Sequence, residues 1–222
     1  MKADPRWTEV DQFITDTLIP PDPALEAALR DSTAAGLPAI SVTAPQGSFL
    51  QILAQSVGAR RILEVGTLGG YSTIWLARAL PPGGQVITLE IDPRTAAVAR
   101  ANLARAGLDK VVEVRIGPAL ATLKTLAAEA REPFDLVFID ADKQNNPEYF
   151  QRALELTHGG ALIVVDNAVR EGAIVDATSR DTDVQGTRRM YQVISAEKRV
   201  AATAIQTVGS KGYDGFVIAR VL

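Results

Sequence analysis

Five short apolar runs, regularly interrupted by helical stretches, constrain this chain more than any other feature. They cover residues 62–65, 86–91, 111–116, 136–139 and 161–165. They are short and mostly apolar, without the sustained alternation of a half-exposed strand except at Glu113 and Arg115, so they are expected to be strands buried on both faces. Such strands belong to a parallel sheet with helices packed on either side. The intervening segments supply those helices: 71–80, from Pro93 to near Gly107, 119–130, and from Pro147 to the Gly159-Gly160 pair. The end of the chain breaks the rhythm. Residues 201–208 and 215–221 both read as strands, and the connection 209–214 is too short for a parallel crossover. These two strands are therefore expected to pair antiparallel.

The first forty residues read as a helical preface. Thr8 is placed as the cap of a helix with Val10, Phe13, Ile14 and Leu18 on one face. Asp22-Pro23 opens a second helix that Gly36 ends, and residues 46–57 form a third. At 222 residues the chain fits one doubly wound α/β domain. Residues 1–57 form its helical cap region, and 58–222 form a Rossmann-like core.

Composition excludes several classes of partner. A formal net charge of -3 argues against a nucleic-acid footprint or an anionic membrane surface. The pairs Arg60-Arg61 and Arg188-Arg189 read as solvated surface. Without cysteine there are no disulfides and no thiolate metal sites. The amino-terminal stretch is charged throughout, unlike a signal peptide, and no uncharged apolar run approaches the roughly 20 residues that span a bilayer. A cytoplasmic location is expected.

In an open parallel sheet, ligands bind beyond the carboxyl ends of the strands. The first strand ends in Glu64-Val65-Gly66-Thr67-Leu68-Gly69-Gly70-Tyr71-Ser72. The glycines permit a tight turn and close approach of a ligand. Alone, the turn also fits a plain glycine bend packing strand on helix. It departs from the dinucleotide pattern G-x-G-x-x-G because leucine stands at 68. Glu64 would repel a phosphate, yet it suits the cationic amino-acid end of S-adenosylmethionine. Glu90, near the end of the second strand, is placed to accept both hydroxyls of a ribose. Asp92, before Pro93, reads as a helix cap.

LEVGTLGGYS, then TLEID, FIDADK and VVDN, in this order, resemble the cation-dependent O-methyltransferases, among them the catechol and caffeoyl-CoA enzymes and bacterial relatives. The resemblance runs from Val42 to the final hairpin. It implies the methyltransferase variant of the Rossmann fold: a seven-stranded, mostly parallel sheet with helices on both faces, whose seventh strand runs against the other six. It also implies contacts with S-adenosylmethionine at Val42, Glu64, Gly66, Thr67, Ser72, Glu90, Ala119 and Asp140.

Asp140 ends the fourth strand and Asp166-Asn167 end the fifth, so three oxygen-bearing side chains are expected to converge. Each has an ordinary alternative as a helix cap or turn residue. An all-oxygen set suits a hard cation, Mg²⁺ first, with Mn²⁺ or Ca²⁺ as alternatives. The resemblance implies the metal role for all three. It also implies that Lys143 is the general base. A lysine beside a metal ion and a sulfonium loses its proton more readily than one on an open surface. The implied reaction is methylation of a vicinal-diol phenol, a small-molecule acceptor, by an enzyme expected to be a homodimer. Arg170 and residues 211–214 are candidate acceptor contacts. Relatives place bulky aromatic residues after the Asp-Asn pair, whereas this chain has Ala168-Val169-Arg170, so a wider or more polar pocket is expected.

Other assignments are plainer. His158 is placed at a helix carboxyl end with no catalytic role, Asn146-Pro147 as a cap with a first-turn proline, and Trp75 and Leu76 in the core. A nicotinamide-dependent dehydrogenase would require G-x-G-x-x-G and a Tyr-x-x-x-Lys pair, and neither is present. A non-catalytic S-adenosylmethionine-binding protein would have no use for Lys143 beside a complete oxygen set.

Overall fold

The computed structural model describes residues 4–129 and 132–222. Three helices lead: α1 (Pro5–Leu18), α2 (Pro23–Ala34) and α3 (Ala44–Ser56). The core then alternates β1 (Arg61–Val65), α4 (Tyr71–Arg78), β2 (Gln85–Glu90), α5 (Pro93–Arg105), β3 (Val112–Ile116), α6 (Ala119–Ala128) and β4 (Phe134–Ile139). It continues with a 3-10 turn (Lys143–Asn145), α7 (Asn146–Glu155), β5 (Thr157–Asp166), a second 3-10 turn (Arg170–Val175), α8 (Thr182–Ala196), β6 (Val200–Gly209) and β7 (Gly212–Val221). The expected helix end at Ala130 lies outside the described residues.

One seven-stranded sheet has the order β3-β2-β1-β4-β5-β7-β6. The pairs among β1 to β5 are parallel, and β7 runs antiparallel to both β5 and β6. Successive residues of the central strands feed two cores. Leu63, Val65, Ile87, Val137 and Ile163 pack under α6, α7 and α8. Ile62, Val86, Leu136, Phe138 and Val164 pack under α2, α3 and α4. Burial on both faces is why these strands read as unbroken apolar runs. The chain winds outward from β1 to β2 and β3, then returns to place β4 on the other side of β1. That reversal opens the crevice at the carboxyl ends of β1 and β4.

Several local expectations change. Asp4, not Thr8, caps α1, with its carboxylate accepting from the Arg6 N–H; Asp4-Pro5 repeats the device that starts α2 at Asp22-Pro23. Thr43 starts α3 ahead of residue 46. Asn145 rather than Asn146 occupies the cap position of α7, and neither side chain caps it. That helix ends at Glu155, and the Gly159-Gly160 pair lies within β5, opposite an irregularity in β4 between Phe134 and Leu136. His158 therefore sits on a strand, with Nε2 2.9 Å from Asp135 Oδ1. That bond pushes its pKa up. The final hairpin is tighter than expected. Its ladder continues to Gly209 and Gly212, leaving Ser210-Lys211 as a two-residue connection. Arg61 lies over the Phe134 ring at 5.1 Å, and Arg189 donates to the Gln144 carbonyl, so neither arginine is purely solvated surface.

Candidate active site

The turn after β1 is fastened at every step. The Gly66 N–H donates to the Leu89 carbonyl and the Asp140 N–H to the Val65 carbonyl, locking the ends of β1, β2 and β4 together. Gly66 has φ +102°, and a Cβ there would stand 2.2 Å from the Asp140 carbonyl oxygen. This glycine is thus required by the approach of β4, a reason additional to ligand access. Leu68 adopts a left-handed φ of 49°, and its N–H donates to Glu90 Oε2 at 2.9 Å. The other Glu90 oxygen takes the Asp92 N–H at 3.0 Å. Glu90 so closes the turn through both of its carboxylate oxygens. Asp92 caps α5 through the Arg94 N–H, as expected.

Glu64 is fully buried beneath this turn. Ser72, Thr73 and Thr88 donate their hydroxyls to it at 2.6, 2.5 and 2.6 Å. Burial nevertheless pushes its pKa up to about 7, with the charge of Asp140 adding to the rise against the three hydroxyl bonds. Glu64 therefore anchors Ser72 at the start of α4 from within the protein. Thr67 turns inward too, its hydroxyl 2.6 Å from that of Thr88. Both were expected as cofactor contacts; their side chains are engaged with the scaffold. Val42, buried in the segment before α3, lines the adjoining cavity. Ala119 begins α6 just beyond β3, after Gly117-Pro118.

On the other side of Asp140 the electrostatics differ. Lys143 is only 8% exposed and places Nζ 2.6 Å from Asp140 Oδ1. Its turn is braced by Asp142, which accepts from the Tyr149 hydroxyl and the Asn145 amide, both at 2.5 Å. Gly186 of α8 lets that helix press on the same turn, since a Cβ would meet the Lys143 carbonyl at 2.3 Å. Asp166, at the end of β5, is buried. Its pKa is pushed up to about 7 by burial and by Asp140, against Lys143, the Asn167 N–H and the Gln46 amide. Asn167 follows with φ 55°. The three oxygen-bearing residues thus gather at neighbouring strand ends. Among the described residues no group of three His, Cys, Asp or Glu is set for a metal ion.

A cavity of about 330 Å³ opens beside Asp166 and Asn167. Phe49 of α3 and Phe216 of β7, with ring centroids 5.1 Å apart, give it an aromatic wall. The aromatic surface that looked absent after the Asp-Asn pair is thus supplied from elsewhere in the chain. Lys211, at the hairpin tip, also lines the cavity and donates to the Ser41 carbonyl; burial lowers its pKa. Asp11 of α1 holds the same tip through the Ser210 N–H at 2.7 Å. Arg170 turns away to Asp183 of α8 at 3.5 Å. Asp214 is committed to the loop after Asn167: Oδ1 accepts the N–H groups of Val169 and Arg170 at 3.0 and 2.9 Å, and Oδ2 faces the Asn167 amide at 3.2 Å. Gln46 and the Phe49–Phe216 wall carried no motif, since both depend on α3 folding back over strand ends far along the chain.

A parallel sheet with a reversed final hairpin, a fastened glycine turn and a lysine–carboxylate cluster at adjacent strand ends has the anatomy of a group-transfer enzyme. Residues 20–221 match the O-methyltransferase family, and the chain belongs to it. It is 55% identical to a catechol O-methyltransferase of Mycobacterium tuberculosis over 221 residues, which covers 100% of this chain and 99% of the relative. The fold superposes on an O-methyltransferase from Bacillus cereus in complex with SAH with a TM-score of 0.97, at 58% identity, covering 98% of this chain and 99% of the other. The O-methyltransferase TomG from Streptomyces achromogenes, in complex with SAM, gives a TM-score of 0.96 at 48% identity, covering 100% and 99%.

Proposed function

We propose that this O-methyltransferase transfers the methyl group of S-adenosylmethionine to one hydroxyl of a vicinal-diol phenol and depends on a divalent cation, Mg²⁺ first, with Mn²⁺ or Ca²⁺ as alternatives. The observation that carries the reading is the convergence of Asp140, Asp166 and Lys143 beside the glycine turn. Asp140 and Asp166 lie close enough to act on one another, Lys143 pairs with Asp140, and burial first and then the Asp140 charge raise the pKa of Asp166. Such a site favours an added cation, and its all-oxygen donor set fits a hard one. Asp140, Asp166 and Asn167 would hold the ion. When bound, the ion makes a coordinated hydroxyl more acidic and fixes its orientation.

The chain's own residues do the rest. Glu90 holds the ribose, Gly66 and Ser72 receive the amino-acid end, and Val42 and Ala119 border the cofactor. Glu64 and Thr67 act by fixing the turn. Lys143 acts as the base in its neutral amine form, in which the Nζ lone pair takes the acceptor's proton to give the ammonium that Asp140 then holds in place. Phe49 and Phe216 hold the aromatic ring, while Lys211 meets the acceptor's far side. Positioning dominates, because the reacting groups neutralise opposite charges. The acceptor class is supported by the relative named catechol O-methyltransferase, and the methyl donor by the SAM and SAH complexes of similar enzymes. Exposed Val10, Phe13 and Leu18 on α1, with Ile205 and Val208 on β6, supply apolar surface for a homodimer, which light scattering would test. No described helix is long and apolar enough to cross a membrane.

Catechol turnover with and without EDTA tests the reading. Activity should fall to background on chelation and return with Mg²⁺. Undiminished activity after verified metal removal would end the metal mechanism, and no turnover on any vicinal diphenol would end the acceptor assignment.

A further inference from the structure

We propose that Asp214 is a positioning residue for the ion site: it fixes which end of the Asn167 carboxamide is presented beside Asp140 and Asp166. The inference rests on the metal-dependent reading above. A carboxamide carries a donor at one end and an acceptor at the other, and turning it by 180° fills almost the same space. Only the acceptor end serves a cation, and the donor end repels one. Something must therefore choose between them, and the choice is made by what faces the carboxamide from behind.

Asp214 faces it. Its Oδ2 lies 3.2 Å from Asn167 Nδ2. An ionised carboxylate accepts and never donates, so the reversed carboxamide would set oxygen against oxygen at that separation. With Nδ2 taken by Asp214, Oδ1 is left for the site. The second oxygen of Asp214 is equally occupied, holding the Val169 and Arg170 N–H groups. These bonds retain a loop in which Asn167 and Arg170 both adopt left-handed φ values, 55° and 53°. Other ties secure the same loop without touching the Asn167 side chain: the Ala168 N–H to the Gly215 carbonyl, and the Tyr191 hydroxyl to the Ala168 carbonyl at 3.1 Å. The loop thus has general support from β7 and α8, and among these supports Asp214 is the one that also meets the Asn167 carboxamide. Outer-shell partners of this kind commonly change metal affinity about 10- to 100-fold.

The experiment measures Mn²⁺ binding to metal-stripped, SAH-saturated protein from the electron paramagnetic resonance of free Mn²⁺, so it needs no turnover. Asp214→Asn keeps shape but removes the acceptor-only character, and should weaken Mn²⁺ about 10- to 100-fold while leaving the SAH Kd within about twofold. Tyr191→Phe removes a neutral tether of the same loop and should leave the Mn²⁺ Kd within about twofold. The decisive variant exchanges the partners. Asn167→Asp with Asp214→Asn restores one donor facing one carboxylate, and should recover most of the lost affinity even if Asp214→Asn alone folds poorly. The proposal is overturned if Asp214→Asn binds Mn²⁺ as the wild type does, if Tyr191→Phe weakens it equally, or if the exchange gives no recovery. Wild-type protein that binds no Mn²⁺ would overturn the metal-dependent reading itself, a different failure.

Discussion

The two halves of the crevice are built on opposite principles. Around the glycine turn the acidic groups and Thr67 have partners within the protein: Glu64 has three hydroxyls, Glu90 two backbone N–H groups, and Thr67 has Thr88. Across Asp140, negative groups accumulate from β4 and β5, with the Lys143 ammonium hydrogen-bonded to Asp140, and an open cavity adjoins. The first half is complete before anything binds and serves as a rigid seat. The second is electrostatically unfinished and is where chemistry is expected. A buried polar network that is fully satisfied stiffens a site, whereas unbalanced like charges raise pKa values and mark function.

The largest expected effect tests the unfinished half. Lys143→Met should lower kcat about 10³-fold, within the usual range for a lost general base, while the SAH Kd measured by calorimetry stays within about twofold. Full activity in this variant would remove the proposed base. The next effect tests the seat. Glu64 has its folded pKa raised from 4.5 to about 7. Between those pH values the folded state holds a proton that the unfolded state has lost, so stability falls as pH rises, by about 3 kcal/mol in all, and levels off above about 7. Glu64→Gln should remove the Glu64 share of that slope and leave the share due to Asp166, whose pKa is also pushed up to about 7, and urea unfolding across pH 4.5–8 would read the difference. Parallel slopes in the two proteins would mean that Glu64 ionises freely in the fold.

The two halves also differ in how far the residues announced them. The turn was legible because its parts are local: strand, glycines and the following helix lie within nine residues, and Glu90 ends the very next strand. Even there, the physical reason for Gly66 was partly hidden, since the Asp140 carbonyl that excludes a Cβ comes from β4. The order of a doubly wound sheet makes β4 and β5 neighbours, so Asp140, Asp166 and Asn167 could be placed side by side, whereas their metal role and the role of Lys143 came from the resemblance. What escaped depends on long-range closure. In the sequence Asp214 reads as an acceptor contact at the end of a six-residue loop, whereas the ladder runs on to Gly209 and Gly212 and Asp214 bonds to the Asn167 loop. Arg170 likewise reads as an acceptor contact in the sequence, whereas α8 brings Asp183 to it. Gln46 and Phe49 reach the site only because α3 packs back over the sheet.

The smallest expected effect sharpens the boundary between seat and reaction space. Lys211 donates to one carbonyl, that of Ser41, although an ammonium has three donors, and burial lowers its pKa. An acceptor carrying a carboxylate would offer it a charged partner that a neutral diphenol does not. A charge-assisted bond at a partly open position is worth about 1 kcal/mol after screening. Lys211→Met should therefore raise KM for 3,4-dihydroxybenzoate about fivefold and leave KM for unsubstituted catechol within about twofold, with kcat little changed for either. Equal increases for both acceptors would show that Lys211 serves only to tie the hairpin tip to the segment before α3. It would then belong with the rigid seat, and the boundary of the reaction space would move inward to Asn167 and Phe216.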